Sequence, residues 1–220
     1  MIFMAYRHFF FDLDGTLLDT IADIANAISD ALAKRGFQRR YDRESAKALI
    51  GNGADALLHR ALIGFSEDPQ EFEALKKEYL PLYKAYQGRD CDPFPGLPET
   101  LLELAQKGVD FSIVTNKPDE LSKIIISKKL PQIPFRFILG HIEGNPVKPN
   151  PYLVEKILKE TGWKKEECLF IGDSYVDLET AKNAGLKSAL CTWGYDLHYD
   201  DLKKVADHIL NQPRDLLDLI

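Results

Sequence analysis

The chain has 220 residues, 45% hydrophobic and 28% charged, a globular composition with length for one substantial core and a small second module. Twenty-eight Lys and Arg against 34 Asp and Glu leave a net charge of −6 without a dense basic block, which argues against a nucleic-acid partner. No apolar stretch reaches the roughly 18 residues of a membrane-spanning helix, and no signal-peptide core precedes Arg7, His8 and Asp12, so the expectation is a soluble, cytoplasmic protein without a membrane partner.

Cys91, Cys168 and Cys191 form no CxxC and leave one thiol over in any disulfide scheme, as expected of small buried residues in a reducing compartment. The five histidines (His8, His59, His141, His198, His208) include no zinc-type pair.

In chain order, the aromatic run Arg7–Phe11 predicts a buried strand that stops at the Asp-Gly turn of DLDGT. Ile21, Ile24, Ala25, Ile28 and Leu32 predict a helix with Thr20 as N-cap and Gly36 just past its end. Residues 42–87 read as successive helices without a strand, the last carrying Pro81 as a kink or break. Asp92-Pro93-Phe94-Pro95-Gly96 is a stiff return linker. Beyond it, short apolar strands (VDFSIVT, FRFIL, CLFIGD, KSALCT) alternate with amphipathic helices, and the chain closes with a strand at HIL and a helix at RDLLDLI. Such alternation implies an α/β fold with a parallel sheet covered on both faces, whose ligands bind beyond the strand carboxyl ends.

Those ends carry Asp12, Asp14, Gly15 and Thr16; Thr115 and Asn116; Lys148, in a loop; and Asp173, Ser174 and Asp177. Each alone has an ordinary structural account as a turn or cap residue. Together, on one rim, several carboxylates would repel one another unless a cation intervened, and a hard oxygen-ligated dication such as magnesium resolves this. A carboxylate is also a competent nucleophile toward phosphorus once metal and lysine neutralise the incoming phosphate.

Asp12-Leu13-Asp14-Gly15-Thr16, Thr115-Asn116, Lys148-Pro149 and Gly172-Asp173-Ser174 with Asp177 resemble the four ordered motifs of the haloacid dehalogenase superfamily. A chance match to DxDGT alone is roughly one in a thousand for a chain this long. The resemblance implies a Rossmann-like catalytic core over residues 1–18 and 93–220, and an inserted all-helical cap over 19–92. It implies that Asp12 is the nucleophile and that Asp14 is the general acid and base, changing protonation state among acidic neighbours. Thr115 and Asn116 would hold the phosphoryl group, and Lys148 would pair with it and with Asp12. Asp12, the backbone carbonyl of Asp14, and Asp173 would ligate magnesium, with Asp177 in support. The dehalogenase branch lacks the second aspartate, which disfavours halide removal.

The segment Leu49 to Leu58, with Gly51, Asn52 and Gly53, is similar to the cap segment of bacterial phosphoglycolate phosphatases. Glycines there would let a helix N-terminus approach an anion such as a carboxylate; the ordinary account is an interhelix turn. The resulting expectation is a magnesium-dependent phosphomonoesterase for a small phosphorylated metabolite, foremost 2-phosphoglycolate, acting through an aspartyl-phosphate. The alternatives are a phosphosugar mutase of the β-phosphoglucomutase kind, an inorganic pyrophosphatase on the same core, and a non-catalytic binding protein on this fold. Nothing in the sequence specifies an oligomeric state.

Overall fold

In the computed structural model, which describes residues 6–51 and 53–220, His8–Phe11 form strand β1 and its phenylalanines point to alternate faces. Phe9 and Phe11 join one hydrophobic cluster with Phe111, Ile113, Leu169 and Ile171, whereas Phe10 joins another with Val114, Val154 and Phe170. A strand buried on both sides has no polar face, which is why HFFF shows no alternation.

After the DLDGT turn, Leu18–Asp19 form β2, followed by helices α1 (Ile21–Lys34), α2 (Arg43–Lys47), α3 (Gly53–Leu62) and α4 (Pro69–Tyr86). The chain returns through β3 (Asp92–Pro93), antiparallel to β2, so entry to and exit from the helical insert lie side by side. Then α5 (Leu97–Gln106), β4 (Asp110–Pro118), α6 (Asp119–Lys129), β5 (Phe135–His141), α7 (Tyr152–Thr161), β6 (Cys168–Gly172), α8 (Tyr175–Ala184), β7 (Lys187–Cys191), α9 (Tyr199–Leu202) and β8 (His208–Leu210) complete the alternation. The sheet order is β5-β4-β1-β6-β7-β8, and every neighbouring pair is parallel. With β1 central and the order reversing around it, the crevice beyond its carboxyl end is where this architecture places ligands.

The insert has a hydrophobic core of its own. Ile28, Leu32, Leu58, Leu62, Leu75 and Tyr79 are buried together, and Leu121 of α6 joins them from the sheet side. The predicted face of α1 is buried throughout, but it divides: Ile21 and Ala25 pack on the sheet's cluster while Ile24, Ile28 and Leu32 pack on the insert's.

Several local expectations change in the structure. Pro81 lies within α4, which runs unbroken from Pro69 to Tyr86. Gly36, at φ +82°, does follow the end of α1 as expected, but the Thr20 side chain makes no cap bond because its hydroxyl is used on Asp14. The closing segment Pro213–Leu219 is a 3₁₀ rather than an α-helix, and the short α9 was not anticipated. All three cysteines are buried free thiols. Among the described residues no helix is long and apolar enough to cross a membrane.

Leu75 is fully buried in the insert, whereas Leu102 on α5 is 37% exposed. Leu75→Ala is therefore expected to cost about 2–5 kcal/mol in denaturant unfolding, and Leu102→Ala within about 0.5 kcal/mol.

Candidate active site

Asp12 is the first residue beyond β1, fixed by donation of its N–H to the Ile171 carbonyl at 2.9 Å. The Lys148 ammonium, on the loop between β5 and α7, lies 2.7 Å from Asp12 Oδ1 and 2.6 Å from Asp177 Oδ1, with its side chain 3% exposed. Asn116 locates this lysine: its Oδ1 accepts from Lys148 N–H at 2.7 Å and its Nδ2 donates to the Lys148 carbonyl at 3.0 Å. The side chain expected on phosphate is thus engaged in holding the loop that carries the cation.

At the start of α8, Asp177 serves two partners. Its Oδ2 accepts from the Ser174 N–H at 3.1 Å and hydroxyl at 2.7 Å, a capping arrangement, while its Oδ1 faces Lys148. Asp173 accepts from the Thr16 hydroxyl at 3.2 Å and from the Tyr195 N–H at 2.7 Å.

One oxygen each of Asp12, Asp173 and Asp177 lies within 4.8 Å of the others. Burial raises the Asp12 carboxyl to about 6 against the opposing pull of Lys148, with Asp177 and Asp14 adding to the rise. Burial, then Asp177 and Asp12, push Asp173 well above the carboxylate range. Burial alone would lower Lys148, but Asp12 and Asp177 outweigh it and hold the ammonium above the ordinary lysine value. Fully ionised, the three carboxylates would exceed the one ammonium by two negative charges, and this all-oxygen donor set suits a hard dication.

Asp14 is held apart from this cluster. Its Oδ1 accepts from the Thr20 hydroxyl at 2.7 Å and from the Lys117 ammonium at 3.1 Å, so its direct partners are a hydroxyl and a cation rather than the acidic neighbours expected. Lys117 donates its backbone N–H to Thr115 Oγ1 at 3.3 Å. Lys117 and Tyr195 escaped the sequence reading. Period-2 alternation from Thr115 would have pointed to Lys117, whereas Tyr195 follows β7 in a loop without a motif.

A cavity of about 400 Å³ separates this rim from the insert, with Asp12, Asp14, Thr115 and Lys148 on one wall and Gly51 and Gly53 on the other. A Cβ on Gly53 would lie 3.9 Å from Asn116, so this turn sits across from the end of β4. Arg60 holds the turn by donating from Nη1 to the Leu49, Ile50 and Gly51 carbonyls at 2.8, 3.0 and 2.8 Å. Asn52 lies outside the described residues.

Residues 9–191 match the family model of the haloacid dehalogenase-like hydrolases. The chain belongs to this family. The phosphoglycolate phosphatase of Aquifex aeolicus is 37% identical over 216 residues, spanning 97% of this chain and 96% of its own. The N-acetylmuramic acid 6-phosphate phosphatase of Pseudomonas aeruginosa is 31% identical over 229 residues, with 99% and 96% spanned. A solved structure from Lactobacillus delbrueckii subsp. bulgaricus, assigned as a phosphoglycolate phosphatase, superposes with a TM-score of 0.90 at 29% identity and 97% coverage of both chains.

Close backbone approach shapes this hydrolase site. A Cβ on Gly172 would fall 2.3 Å from both Cβ and Cγ of Asp177, one on Gly194 2.3 Å from Asp173 Cβ, and one on Gly15 (φ +86°) 2.5 Å from Asp173 Oδ2. At Gly172 the obstruction is the root of a buried side chain, which cannot swing aside. Gly172→Ala is expected to destabilise by about 1–3 kcal/mol in thermal or denaturant unfolding, since overpacking forces the backbone to shift. An unchanged melting temperature would show that the Asp177 turn yields freely.

Proposed function

We propose that this chain is a magnesium-dependent phosphomonoesterase for a small phosphorylated metabolite, with 2-phosphoglycolate as the preferred substrate, working through an aspartyl-phosphate on Asp12. The observation that carries the reading is the Lys148 ammonium 2.7 Å from Asp12, with a second aspartate, Asp14, held separately on a lysine and a threonine. Asp12 would attack phosphorus in line, with its charge and that of the phosphate offset by Lys148. Thr115 would bind the phosphoryl oxygens alongside Lys148, and Asn116 would contribute through its hold on the Lys148 loop. Asp14 would protonate the departing alkoxide and then take a proton from the water that attacks the aspartyl-phosphate, regenerating Asp12.

Asp12, the Asp14 backbone carbonyl and Asp173 would hold magnesium. Asp177 would support them, since both of its oxygens already have partners. Bound there, the metal would supply charge neutralisation for the phosphoryl group. Residues 1–18 and 93–220 would act as the core and 19–92 as a cap. The cap turn at Gly51 to Gly53 would meet the leaving portion of the substrate and exclude water. The substrate preference draws on the name and 37% identity of the Aquifex aeolicus relative. Three buried free cysteines suit a reducing, cytoplasmic setting.

A panel of 2-phosphoglycolate, N-acetylmuramic acid 6-phosphate, β-glucose 1-phosphate and pyrophosphate, compared by kcat/KM, tests the substrate. The expected order puts 2-phosphoglycolate first; isomerised sugar without free phosphate would favour a mutase, and no turnover of any ester would favour a binding protein. Asp12→Asn is expected to abolish phosphate release in a protein that still unfolds cooperatively, because an amide of the same shape cannot attack phosphorus. A folded, active variant would remove Asp12 as nucleophile.

The buried carboxylates also predict how metal binding depends on pH. In the folded protein without metal, Asp12 titrates near 6 rather than 3.8. A raised folded-state value means that folding opposes ionisation, so this contribution weakens the fold as pH rises from 3.8 through about 6. Metal ligation needs the ionised carboxylates and removes that penalty. Magnesium is therefore expected to raise the melting temperature more at about pH 8 than at about pH 5, with protons released on binding in the acidic range. Asp173→Ala should raise the magnesium concentration required, and equal stabilisation at both pH values would contradict the ligand assignment.

A further inference from the structure

Lys117 is buried and takes no part in the steps derived above: its side chain is 1% exposed. Its ammonium lies 3.1 and 3.4 Å from the two Asp14 oxygens, donates to the Tyr83 hydroxyl, and stands 4.5 Å from the Tyr83 ring centroid. Withdrawing an ammonium from water is costly unless its partners replace the lost hydration. Other lysines that tie the insert's elements together, such as the exposed Lys34 to Glu78 and the half-buried Lys76 to Asp55, do so while keeping contact with water. A tie alone therefore has no need of a buried cation.

The mount of Lys117 is rigid. Its N–H is on the Thr115 hydroxyl, its carbonyl accepts from Ser122 Oγ at 3.4 Å, and a Cβ on the facing Gly140 would come within 2.5 Å of that carbonyl. Tyr83 is equally fixed, buried in the last turns of α4 and stacked on Tyr79 with centroids 5.3 Å apart. All three line the cavity, but Asp14 is the most exposed of them, at 18% against 1% for the Lys117 side chain and 4% for Tyr83.

We infer that Lys117 is a positioning residue for Asp14, and that Tyr83 makes this positioning depend on the seating of the helical insert. The inference rests on the acid–base role given to Asp14 above. Lys117 reaches both oxygens of the carboxylate and Thr20 reaches one of them, which fixes its plane as well as its place. Thr20 opens the first helix of the insert and Tyr83 lies near the end of the last. Both holders of Asp14 are thus tied to the insert, so the proton-transferring group is aligned when the insert is seated on the rim. Misplacement of a reacting group by about 1 Å is costly, and proton transfer needs its donor within hydrogen-bond reach.

The test separates proton transfer to the leaving group from everything else. An alkyl phosphate from the panel above needs that proton, whereas p-nitrophenyl phosphate has a leaving group that departs without it. Lys117→Met is expected to lose about 10²-fold in kcat/KM on the alkyl ester and under about 5-fold on p-nitrophenyl phosphate. Tyr83→Phe keeps the buried ring and removes only the hydroxyl; it should show the same bias at smaller size, and it decides the matter if Lys117→Met fails to fold. In an Asp14→Asn background, adding Lys117→Met should cost nothing further on the alkyl ester, because a residue acting through Asp14 has nothing left to position. Equal losses on the two esters, losses that multiply with Asp14→Asn, or full activity of both variants would overturn the inference. If Asp14→Asn itself treats the two esters alike, the acid–base reading falls and takes this one with it. If Asp14→Asn shows the bias and the Lys117 and Tyr83 variants do not, only the positioning role is lost.

Discussion

The Lys148 ammonium can be buried at the rim of the sheet because Asp12 and Asp177 meet it at 2.7 and 2.6 Å, and the rest of the site is arranged around that pairing. The lysine comes from a loop, which by itself would leave a long flexible side chain free to point at water. Asn116 removes that freedom by clamping the lysine's own backbone from the end of β4. Asp12 needs no such help, since β1 is hydrogen-bonded on both sides and delivers its next residue to a fixed place. Asp177 is located by the turn it caps. Three separate strand ends therefore converge on one cation, and the parallel register of β4, β1 and β6 makes the convergence possible.

The same constraint explains where glycine is required. Carboxylates can crowd a cation only if the backbone between them comes close, and Gly15, Gly172 and Gly194 sit where any Cβ would collide with Asp173 or Asp177. Tyr195, next to Gly194, extends the network outward. Its N–H holds Asp173, while its hydroxyl accepts from the Thr20 and Ile21 N–H groups at 2.5 and 3.1 Å, in place of a side-chain cap on α1. The hydroxyl also lies 3.0 Å from an Asp19 oxygen, and Asp19 in turn pairs with Arg43 of α2. The carboxylate cluster and the start of the helical insert are thereby fastened to the same residue. The sheet and insert have separate hydrophobic cores, yet polar contacts join them where the cavity lies.

Much of this was legible in the sequence, for identifiable reasons. Strands buried on both faces stand out as short apolar runs, and a helix with two buried neighbours keeps its periodicity, so β1, β6, β7 and α1 lie close to their expected bounds, whereas β4 continues three residues past the expected end at Thr115, to Pro118, because polar Asn116 and Lys117 break the apolar run. The DLDGT turn was legible because Asp and Gly punctuate a strand end whatever their chemistry. What stayed hidden depends on contacts distant in sequence. Thr20 looked like an N-cap because its neighbours are helical, but its hydroxyl is drawn to Asp14 and a tyrosine 175 residues away supplies the oxygen instead. The resemblance puts Asn116 at the phosphoryl group, and what it does not reveal is that the side-chain amide matches the donor and acceptor of the Lys148 backbone. Lys117 carried only the period-2 alternation from Thr115 as a signal, and a lysine at a strand end is ordinarily exposed.

The ordinary and the chemical accounts of these residues turn out to describe the same bonds. Asp177 is a helix-capping residue, and because its Oδ2 is occupied by Ser174 its Oδ1 is turned toward Lys148. Asp173 ends a strand in a tight turn, and because the turn is tight its carboxylate lies against Gly15 and the Tyr195 N–H rather than in water. Burial then raises Asp12 and Asp173 above the usual carboxylate range, which leaves the rim electrostatically unfavourable on its own. An arrangement in which local capping and turn bonds hold like charges together has little value for the fold, since apolar residues of similar volume would pack there without repulsion. It would gain value if, as proposed, a cation and a phosphoryl group enter, because the carboxylates are already gathered.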